Sequence, residues 1–554
     1  MTPRRLAQGE ALYRDVRFYH GPLGPYVAAA VELVAPRSLP ARYFLAGLIA
    51  LLHIEGLRRL AKRLLSPGRA SLATALIVAS AFFLRPGGCH LFPFSLDTSI
   101  AVAAITWALH LQDRGSRRDA WLLSGCLLAA LLSRPEMGLA AIAALSLGKT
   151  RRVGSASPAS GLAVSALLPL GIATLVYAVL SRGVPRDTLL SEGWLAFVKP
   201  PGAFRNIYAS YAGLDLPGLR AAELLLAAIV LTAVAALLVT GAFLAARTPA
   251  RGRRIVEAAT LVVIAAAALV RYRPPEGYAE RLSLFPPLIR VVPPLLLLAL
   301  CARVWRRLTR RVDRGVFAGV SDPLLLIAAL FSLRMLFVAG YFGPYNAFLL
   351  PLPLLVAITA LFNAADRLVP AVGPSLPRLA SGALVILLLF RVGSLGDLFR
   401  HAAWSRVRTP AGELFLVEPV ALTTRQALAD LSQRLLPGGT LAGFPEIGFL
   451  NYALGARNPL PQEQFFPGHL NRRAEGETIR RLATSPPSAI VYVNVLAVGH
   501  RSVAFGKDYL EELDRFVRSR FSPAAAYGPG AMLPDSPTPL KIGDPDFFIE
   551  IRVP

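Results

Sequence analysis

A succession of apolar runs between residues 41 and 393 constrains this 554-residue chain more than any other feature. A helix that crosses a bilayer needs roughly 20 predominantly apolar residues, and most of these runs approach that length. The runs cover 41–57, 70–84, 97–111, 120–148, 158–181, 220–245, 255–270, 282–302, 322–341, 345–363 and 378–393. The pattern predicts a polytopic α-helical membrane protein.

The run 120–148 is long enough for two short spans and is interrupted by Ser133-Arg134-Pro135-Glu136. A proline inside a helix removes one backbone hydrogen bond and clashes with the preceding turn. Arg134 and Glu136 are costly within a bilayer and need water or partners. We therefore expect a helix break at 133–138, which divides this run in two and brings the count to about twelve spans.

The formal charge of +25 is the balance expected of a nucleic-acid-binding protein, but its distribution argues against that class. Residues 394–554 carry a net charge of only +1, so almost all of the excess lies between the apolar runs. Basic clusters in such places are typical topology signals. The largest contains Arg303, Arg306, Arg307, Arg310, Arg311 and Arg314. We expect the partner of these basic residues to be a lipid bilayer and not a nucleic acid.

The basic residues also predict an orientation. The connections 58–69, 112–119, 149–157, 246–254, 303–321 and 364–378 hold 23 Lys and Arg, against 14 in the longer set of opposite connections. The positive-inside rule places the first set in the cytoplasm. The N-terminal segment, the loop 182–219 and residues 394–554 are then expected on the outer face of the inner membrane.

Residues 394–554 have the composition of an ordinary soluble domain. Thr440–Phe444, Ala489–Val495 and Phe547–Val553 have the pattern of buried strands, while Glu475–Thr484 and Tyr509–Phe521 have that of amphipathic helices. Such alternation predicts a small α/β domain. The expected organisation is an outer-face segment with an interfacial helix (1–40), a transmembrane helical domain (41–393) and an extracytoplasmic α/β domain (394–554).

Residues 1–40 carry the most distinctive motif. They read Gly9-Glu10-Ala11-Leu12-Tyr13-Arg14-Asp15, followed by Tyr19-His20-Gly21-Pro22-Leu23-Gly24-Pro25-Tyr26. Charged, aromatic and helix-breaking residues beside an apolar run are typical of an interfacial anchor, with Tyr and Arg at the level of the lipid headgroups. That role needs no catalytic chemistry.

The same motif resembles the first outer loop of the GT-C glycosyltransferases. These enzymes use a polyprenyl-phosphate sugar and include the protein mannosyltransferases and the aminoarabinose transferase of lipid A. The segment Arg134-Pro135-Glu136-Met137-Gly138 resembles the charged motif between two mid-chain spans of that group. The resemblance implies a multi-span bundle with an outer C-terminal domain, and transfer of a sugar from a lipid phosphate to a glycan, lipid or protein acceptor.

The chain departs from the family pattern at its start. Family members have one more span before this loop and an acidic residue well upstream of the Leu-Tyr-x-Asp motif, whereas this chain opens Met1-Thr2-Pro3-Arg4-Arg5. We therefore expect that the N-terminal span is missing. Two alternatives stay open, a catalytically inactive truncated homologue and a transporter or flippase of lipid-linked sugars.

Sugar transfer from a lipid phosphate needs a carboxylate as general base and cations that steady the departing phosphate. The outer-face acids are Glu10, Asp15, Glu136, Asp187, Glu192, Asp215, Glu276 and Glu280. The outer-face cations are Arg85, His90, Arg134, Lys199, Arg205, Arg271, Arg273 and Arg281. No cofactor is indicated, and a divalent metal is left open.

From these sets we predict Asp15 and Glu10 as catalytic residues. Substrate-binding residues are predicted to be Arg134, Glu136, Arg271, Arg273 and Arg281. Structural roles compete with each assignment: Asp15 pairs with Arg14 or Arg17, Arg134 pairs with Glu136, and the three later arginines anchor headgroups. Residues 1–40, the Arg134–Glu136 break and the loop 182–219 are expected to enclose one site.

Overall fold

The computed structural model describes residues 1–83, 95–112, 114, 116–149, 166–196, 198, 217–271, 286–309, 317, 319–338, 348–401, 404–446, 448–465, 467, 470–493, 505–528 and 548–554. Up to residue 401 the regular elements of this part are helical. The α-helices are α1 (Thr2–Ala7), α2 (Leu23–Val34), α3 (Leu39–Leu64), α4 (Pro67–Ile77), α5 (Leu96–Leu111), α6 (Arg117–Ser133), α7 (Pro135–Lys149), α8 (Leu168–Leu180), α9 (Arg186–Glu192), α10 (Pro217–Arg247), α11 (Ala250–Arg271), α12 (Pro286–Leu308), α13 (Asp322–Val338), α14 (Pro351–Val372) and α15 (Ser375–His401).

Three helices of the described chain are long and apolar enough to cross a membrane. They are Ala228–Arg247 within α10, the whole of α14, and Ser375–Gly393 within α15. The expectation of about twelve spans in a GT-C-like bundle is therefore wrong. Several of the apolar runs form helices of only 10–17 residues, among them α5 and α8.

Helix length and charge explain this difference. α3 has 26 residues, but its second half carries Glu55 and a group of basic side chains. The run 120–148 is divided between α6 and α7, which have 17 and 15 residues. The length of an apolar run therefore does not give the length of the helix. Caps, prolines and charges decide how far one uninterrupted helix extends.

The predicted break at 133–138 is confirmed. α6 ends at Ser133, Arg134 takes an extended conformation with φ −142° and ψ 90°, and α7 begins at Pro135. Proline is tolerated at a first helical position because the N–H that it lacks has no partner there. The break turns the chain so that α6 and α7 pack side by side.

Small side chains bring the first helices close together. Ala61 of α3, Ala101 and Ala108 of α5, and Ala130 of α6 are fully buried in one apolar core. Residues with small side chains allow neighbouring helix backbones to approach each other closely, and this close packing supplies many dispersion contacts. This core holds the ends of α5 and α6 beside one another, which is where the polar residues described below are found.

The part after residue 403 combines helices and strands. The strands are β1 (Trp404–Thr409), β2 (Gly412–Val417), β3 (Leu441–Phe444), β4 (Ala489–Val493), β5 (Ser522–Tyr527) and β6 (Ile549–Val553). The helices are α16 (Glu418–Arg434), α17 (Gly448–Leu454), α18 (Arg472–Thr484) and α19 (Glu511–Arg520). The strand predictions near 440, 489 and 547 and both amphipathic-helix predictions are confirmed.

Four of these strands form one sheet in the order β3-β4-β6-β5. β3 and β4 are parallel, with Leu441 opposite Ala489, and β6 is antiparallel to both of its neighbours. Successive residues of a strand point to opposite faces. Val491 and Val493 accordingly pack on the α16 side, while Tyr492 packs toward α18 and α19. β1 and β2 form a separate antiparallel hairpin.

The first residues of the chain, which we call the N-terminal arm (residues 1–38), lie against this α/β part. Arg4 donates to the Gly455 carbonyl at 2.9 Å, and the Arg17 N–H donates to the Pro461 carbonyl at 2.9 Å. Where the arm ends, the Leu39 N–H donates to the Ala411 carbonyl at 2.8 Å. Backbone and charge-assisted hydrogen bonds therefore attach the arm along its length.

A buried carboxylate completes this attachment. Glu32 of α2 receives a hydrogen bond from Arg42 at 2.9 Å and one from the Tyr452 hydroxyl at 3.2 Å. The Arg42 guanidinium also lies 4.0 Å from the centre of the Tyr452 ring. A buried charge is tolerated when it is paired and hydrogen-bonded.

The expected boundary between the transmembrane helical domain and the α/β domain, at residue 393, lies inside α15, which continues to His401.

The contact between the arm and the α/β part has a topological consequence. Segments that hydrogen-bond to each other outside a bilayer lie on the same side of it, so the chain crosses an even number of times between them. The crossings therefore cannot be the three candidate helices and no others. We predict that topology reporters fused before Met1 and after Pro554 of the full-length chain both report the same side of the membrane. Opposite readings from the two ends would show that the arm and the α/β part are not in contact in the cell.

Candidate functional site

After α1 the N-terminal arm makes a tight turn that contains the two predicted catalytic acids. The Asp15 carboxylate accepts from the Ala11 N–H at 2.8 Å and pairs with Arg14 at 2.9 Å. The hydrogen bond from Arg14 lowers the pKa of the Asp15 carboxyl. Glu10 receives two hydrogen bonds from Arg5, at 2.6 and 2.9 Å. Both acids therefore have structural partners within the arm.

From this turn the arm continues to a second contact region at residues 20–24. The Gly21 N–H donates to the Ser133 carbonyl at 3.1 Å, at the end of α6. The Gly24 N–H donates to Asp97 Oδ1 at 2.9 Å, at the start of α5. The two backbone contacts place the arm across the ends of both helices.

The approach leaves no room for a side chain at position 21, where the backbone of α6 is in the way, and a side chain at position 24 would have to displace the Asp97 carboxylate. A Cβ at position 21 would lie 2.1 Å from the Leu132 carbonyl oxygen, and one at position 24 would lie 2.2 Å from Asp97 Oδ1. Both separations are far inside van der Waals contact. The sequence Gly21-Pro22-Leu23-Gly24 is therefore a docking segment, in which each glycine meets a different helix end.

Arg134 is the charged centre of this region and is only 5% exposed. Its Nε and Nη2 donate to Thr98 Oγ1 at 2.9 and 2.7 Å. Its Nη1 lies 2.7 Å from His20 Nδ1, and the Glu136 carboxylate lies 3.7 Å away. Since arginine stays protonated in proteins, Nη1 is the donor and His20 Nδ1 the acceptor. The His20 ring is therefore neutral at this contact, with its proton on Nε2.

Asp97 is the second buried ionisable residue, at 4% exposure. Burial raises the pKa of its carboxyl to about 7, and the nearby positive charge of Arg134 opposes this shift. The neighbouring Thr98 hydroxyl also bonds Ser95 at 2.6 Å. We call His20, Asp97, Thr98, Arg134 and Glu136 the Arg134 cluster.

The loop after α8 meets the arm at Glu192, the last residue of α9. Glu192 accepts from Gln462 of the α/β part at 2.8 Å and lies 3.6 Å from Arg17. Burial raises the pKa of the Glu192 carboxyl, and the bond from Gln462 and the charge of Arg17 oppose the shift. The arm thus contacts both the helix break and the described part of the 182–219 loop. That the three regions enclose one site stays a prediction.

The predicted site residues divide into three groups. Arg134 and Glu136 lie together in the cluster, whereas Asp15 and Glu10 lie in the arm turn, and no contact among the described residues joins Asp15 to Arg134. Arg271 is the last residue of α11, and its side chain lies outside the described residues. Arg273 and Arg281 lie outside them altogether. Their predicted role in phosphate binding stays a prediction.

Sequence reasoning missed Asp97 and Thr98 and assigned His20 no role in binding. Asp97 stands at the start of an apolar run, a position that was interpreted as part of a membrane span. An acid and two hydroxyls in Ser95-Leu96-Asp97-Thr98, directly before thirteen mostly apolar residues, were the available signal. An ionisable residue at the edge of such a run is a functional candidate by default.

No protein-family model matches this chain, and no match is found among curated proteins. Any functional assignment therefore rests on the chemistry of the site itself. Within the described residues, no group of three His, Cys, Asp or Glu side chains has the arrangement of a metal site. The available groups are a buried guanidinium, a buried carboxyl, an imidazole and a hydroxyl, which suit anion binding and proton transfer.

The close contact at Gly24 leads to a test of the docking segment. In Gly24→Ala the new methyl group meets Asp97, so we expect a loss of roughly 1–3 kcal/mol of stability, the range of overpacked buried sites. Thermal unfolding in detergent followed by intrinsic fluorescence measures it. Gly47→Ala in α3 is the matched control, because a Cβ there meets nothing within 4 Å. Equal melting temperatures for the two variants would contradict the close approach.

The raised pKa of Asp97 predicts a pH dependence of stability. Between its ordinary value of about 3.9 and about 7, the folded state retains a proton that the unfolded state has lost. Asp97 therefore lowers stability progressively as pH rises through this window. Asp97→Asn has no such proton, so its melting temperature relative to wild type should increase from pH 4 to pH 7. A pH-independent difference would contradict the raised pKa.

Proposed function

We propose that this protein is a membrane-bound glycosyltransferase that moves a sugar from a polyprenyl phosphate to an acceptor hydroxyl. The observation that carries the proposal is the Arg134 cluster, in which a buried guanidinium, a buried carboxyl and an imidazole meet at a helix break. Buried ionisable groups with shifted pKa values are concentrated at functional sites. The three helices long and apolar enough to cross a membrane suit an enzyme whose donor is a lipid.

In this proposal Arg134 binds the donor phosphate. A guanidinium can bind two phosphate oxygens through parallel hydrogen bonds, and it stays charged at any physiological pH. As the bond between the sugar C1 and the phosphate oxygen breaks, negative charge develops on the leaving phosphate. Arg134 stabilises that charge, and the neutral hydroxyl of Thr98 and the ring of His20 hold the guanidinium until substrate arrives.

Asp97 is the general base in this proposal. A base is most effective when its pKa lies near the working pH, and burial raises the pKa of Asp97 to about 7. Its carboxylate takes the proton of the acceptor hydroxyl while that oxygen forms the new bond to the sugar C1. The sequence-based candidate for the same role, Asp15, has a lowered pKa and an exposed partner in Arg14, which suits a base less well.

The proposal includes a location and partners. It places the chain in a bacterial inner membrane, with residues 394–554 on the outer face as expected from the sequence. The donor is a polyprenyl-phosphate sugar, and the acceptor is a glycan, lipid or protein. The likeness of residues 9–26 and 133–138 to GT-C glycosyltransferase motifs supports the same chemistry.

A comparison of two carboxylates tests the base assignment. With purified protein, a radiolabelled polyprenyl-phosphate sugar and a panel of acceptors, Asp97→Asn should lower turnover roughly 10²–10⁴-fold, the usual contribution of a general base. Asp15→Asn should lower it less, because that side chain pairs within the arm. Glu413→Gln, an exposed partner of Arg406 in the β1–β2 hairpin, controls for the loss of any carboxylate.

The outcomes separate the assignments. A larger loss in Asp15→Asn than in Asp97→Asn would move the base to the arm turn and remove Asp97 from it. If the protein moves intact lipid-linked sugar across the membrane of a vesicle and transfers no sugar to any acceptor, the enzyme proposal is replaced by the proposal that the protein is a flippase.

A further inference from the structure

The arm connects the α/β part to the Arg134 cluster through a continuous set of hydrogen bonds. At one end, Arg5 Nη1 donates to the Leu460 carbonyl at 2.8 Å. The same guanidinium donates from Nη2 to the Asp15 carbonyl at 2.9 Å, so it fixes the turn that contains Tyr13. Arg5 is only 5% exposed, and such a buried, fully engaged guanidinium holds its neighbours in one arrangement.

Tyr13 is the next member of this set. It is fully buried and has the left-handed φ of 67°, which is uncommon for a bulky residue. Its N–H donates to the Val16 carbonyl at 2.8 Å, and its carbonyl accepts from Arg17. Its ring packs in an apolar cluster with Leu12 and with Leu189 of α9. Backbone and ring are therefore held independently of the hydroxyl group.

The Tyr13 hydroxyl reaches away from this packing to the next segment of the arm. It donates to the His20 carbonyl at 2.7 Å. The ring of the same histidine accepts from Arg134 at 2.7 Å and stands edge-on to Phe18, with ring centres 5.6 Å apart. One side of His20 thus meets the rigid turn of the arm and the other meets the guanidinium.

We infer that Tyr13 is a positioning residue, whose hydroxyl holds His20 where its Nδ1 can accept from Arg134 and so sets the orientation of the guanidinium. Tyr13 reaches the proposed phosphate-binding group only through His20. The inference rests on the proposed function for its catalytic consequence, but the hydrogen bond between His20 and Arg134 exists whatever the reaction is.

A packing role alone would need the ring and not the hydroxyl. Tyr13→Phe separates the two, because it keeps the ring in its apolar cluster and removes only the donor to the His20 carbonyl. Tyr452→Phe is the matched control, since it removes one buried hydroxyl that bonds Glu32, where the arm meets the α/β part. The two variants lose equivalent groups, but only one of these groups contacts a member of the Arg134 cluster.

The first readout is the protonation state of His20, measured by nitrogen-15 NMR of labelled histidine in detergent, with His20→Gln identifying the signal. Wild type and Tyr452→Phe should show a neutral ring protonated at Nε2. Tyr13→Phe should show a mixture of ring forms, because the ring is no longer fixed against Arg134. An unchanged His20 signal in Tyr13→Phe would overturn the inference, and this result does not depend on any enzymatic activity.

The second readout is transfer activity. Tyr13→Phe should raise KM for the polyprenyl-phosphate sugar or lower kcat by roughly 3- to 10-fold, the equivalent of one net hydrogen bond. In a His20→Gln background the same change should have no further effect, since the two residues act through one path. Additive effects would overturn the inference. Absence of transfer by the wild-type protein with every acceptor would refute the proposed function, and the NMR result would still decide the role of Tyr13.

If Tyr13→Phe does not fold, a second variant tests whether the Tyr13 hydroxyl positions His20. Incorporation of 3-fluorotyrosine at position 13 keeps ring and hydroxyl and makes the hydroxyl a stronger donor. The His20 signal should then shift while the melting temperature stays within a few degrees of wild type. No change in the His20 signal with the fluorinated residue would count against the inference as firmly as an unchanged signal in Tyr13→Phe.

Discussion

The close backbone contact between the N-terminal arm and the ends of α5 and α6 is the constraint on which the rest of the site depends. Gly21 meets the backbone of α6 so closely that no side chain fits, and Gly24 meets the Asp97 carboxylate, which any side chain there would displace. This contact covers Asp97 and brings His20 to Arg134. Burial and hydrogen bonding in the cluster therefore follow from two glycines that allow one segment of chain to lie directly on two helix ends.

Burial of charge at this place is expensive and has to be compensated. An isolated ion removed from water costs several kcal/mol even after relaxation. Arg134 is compensated by the hydroxyl of Thr98, the ring of His20 and the carboxylate of Glu136. Asp97 is compensated by the Gly24 N–H and by the charge of Arg134. A network of this kind is sensitive to any displacement of the arm, since each member is satisfied only in one arrangement.

The α/β part takes part in this arrangement although no residue of it belongs to the cluster. It holds the arm at Leu460, Pro461 and Tyr452, and it also reaches Glu192 beside Arg17. Anything that moves the α/β part therefore acts on the arm, and the arm acts on His20.

Local features of the sequence were sufficient for the helix break at Pro135 and for the strands at Leu441–Phe444 and Ala489–Val493, because a proline acts on its own neighbours and a short apolar run is typical of a buried strand. They also marked Arg134 and Glu136 as unusual. The number of membrane-spanning helices did not follow from apolar runs, since charges and breaks within helices limit their length. Only the tertiary structure placed His20 against Arg134, 114 residues later, and Gly24 against Asp97, 73 residues later. Such pairs depend on how helix ends pack in space, and no periodicity in the sequence records that packing.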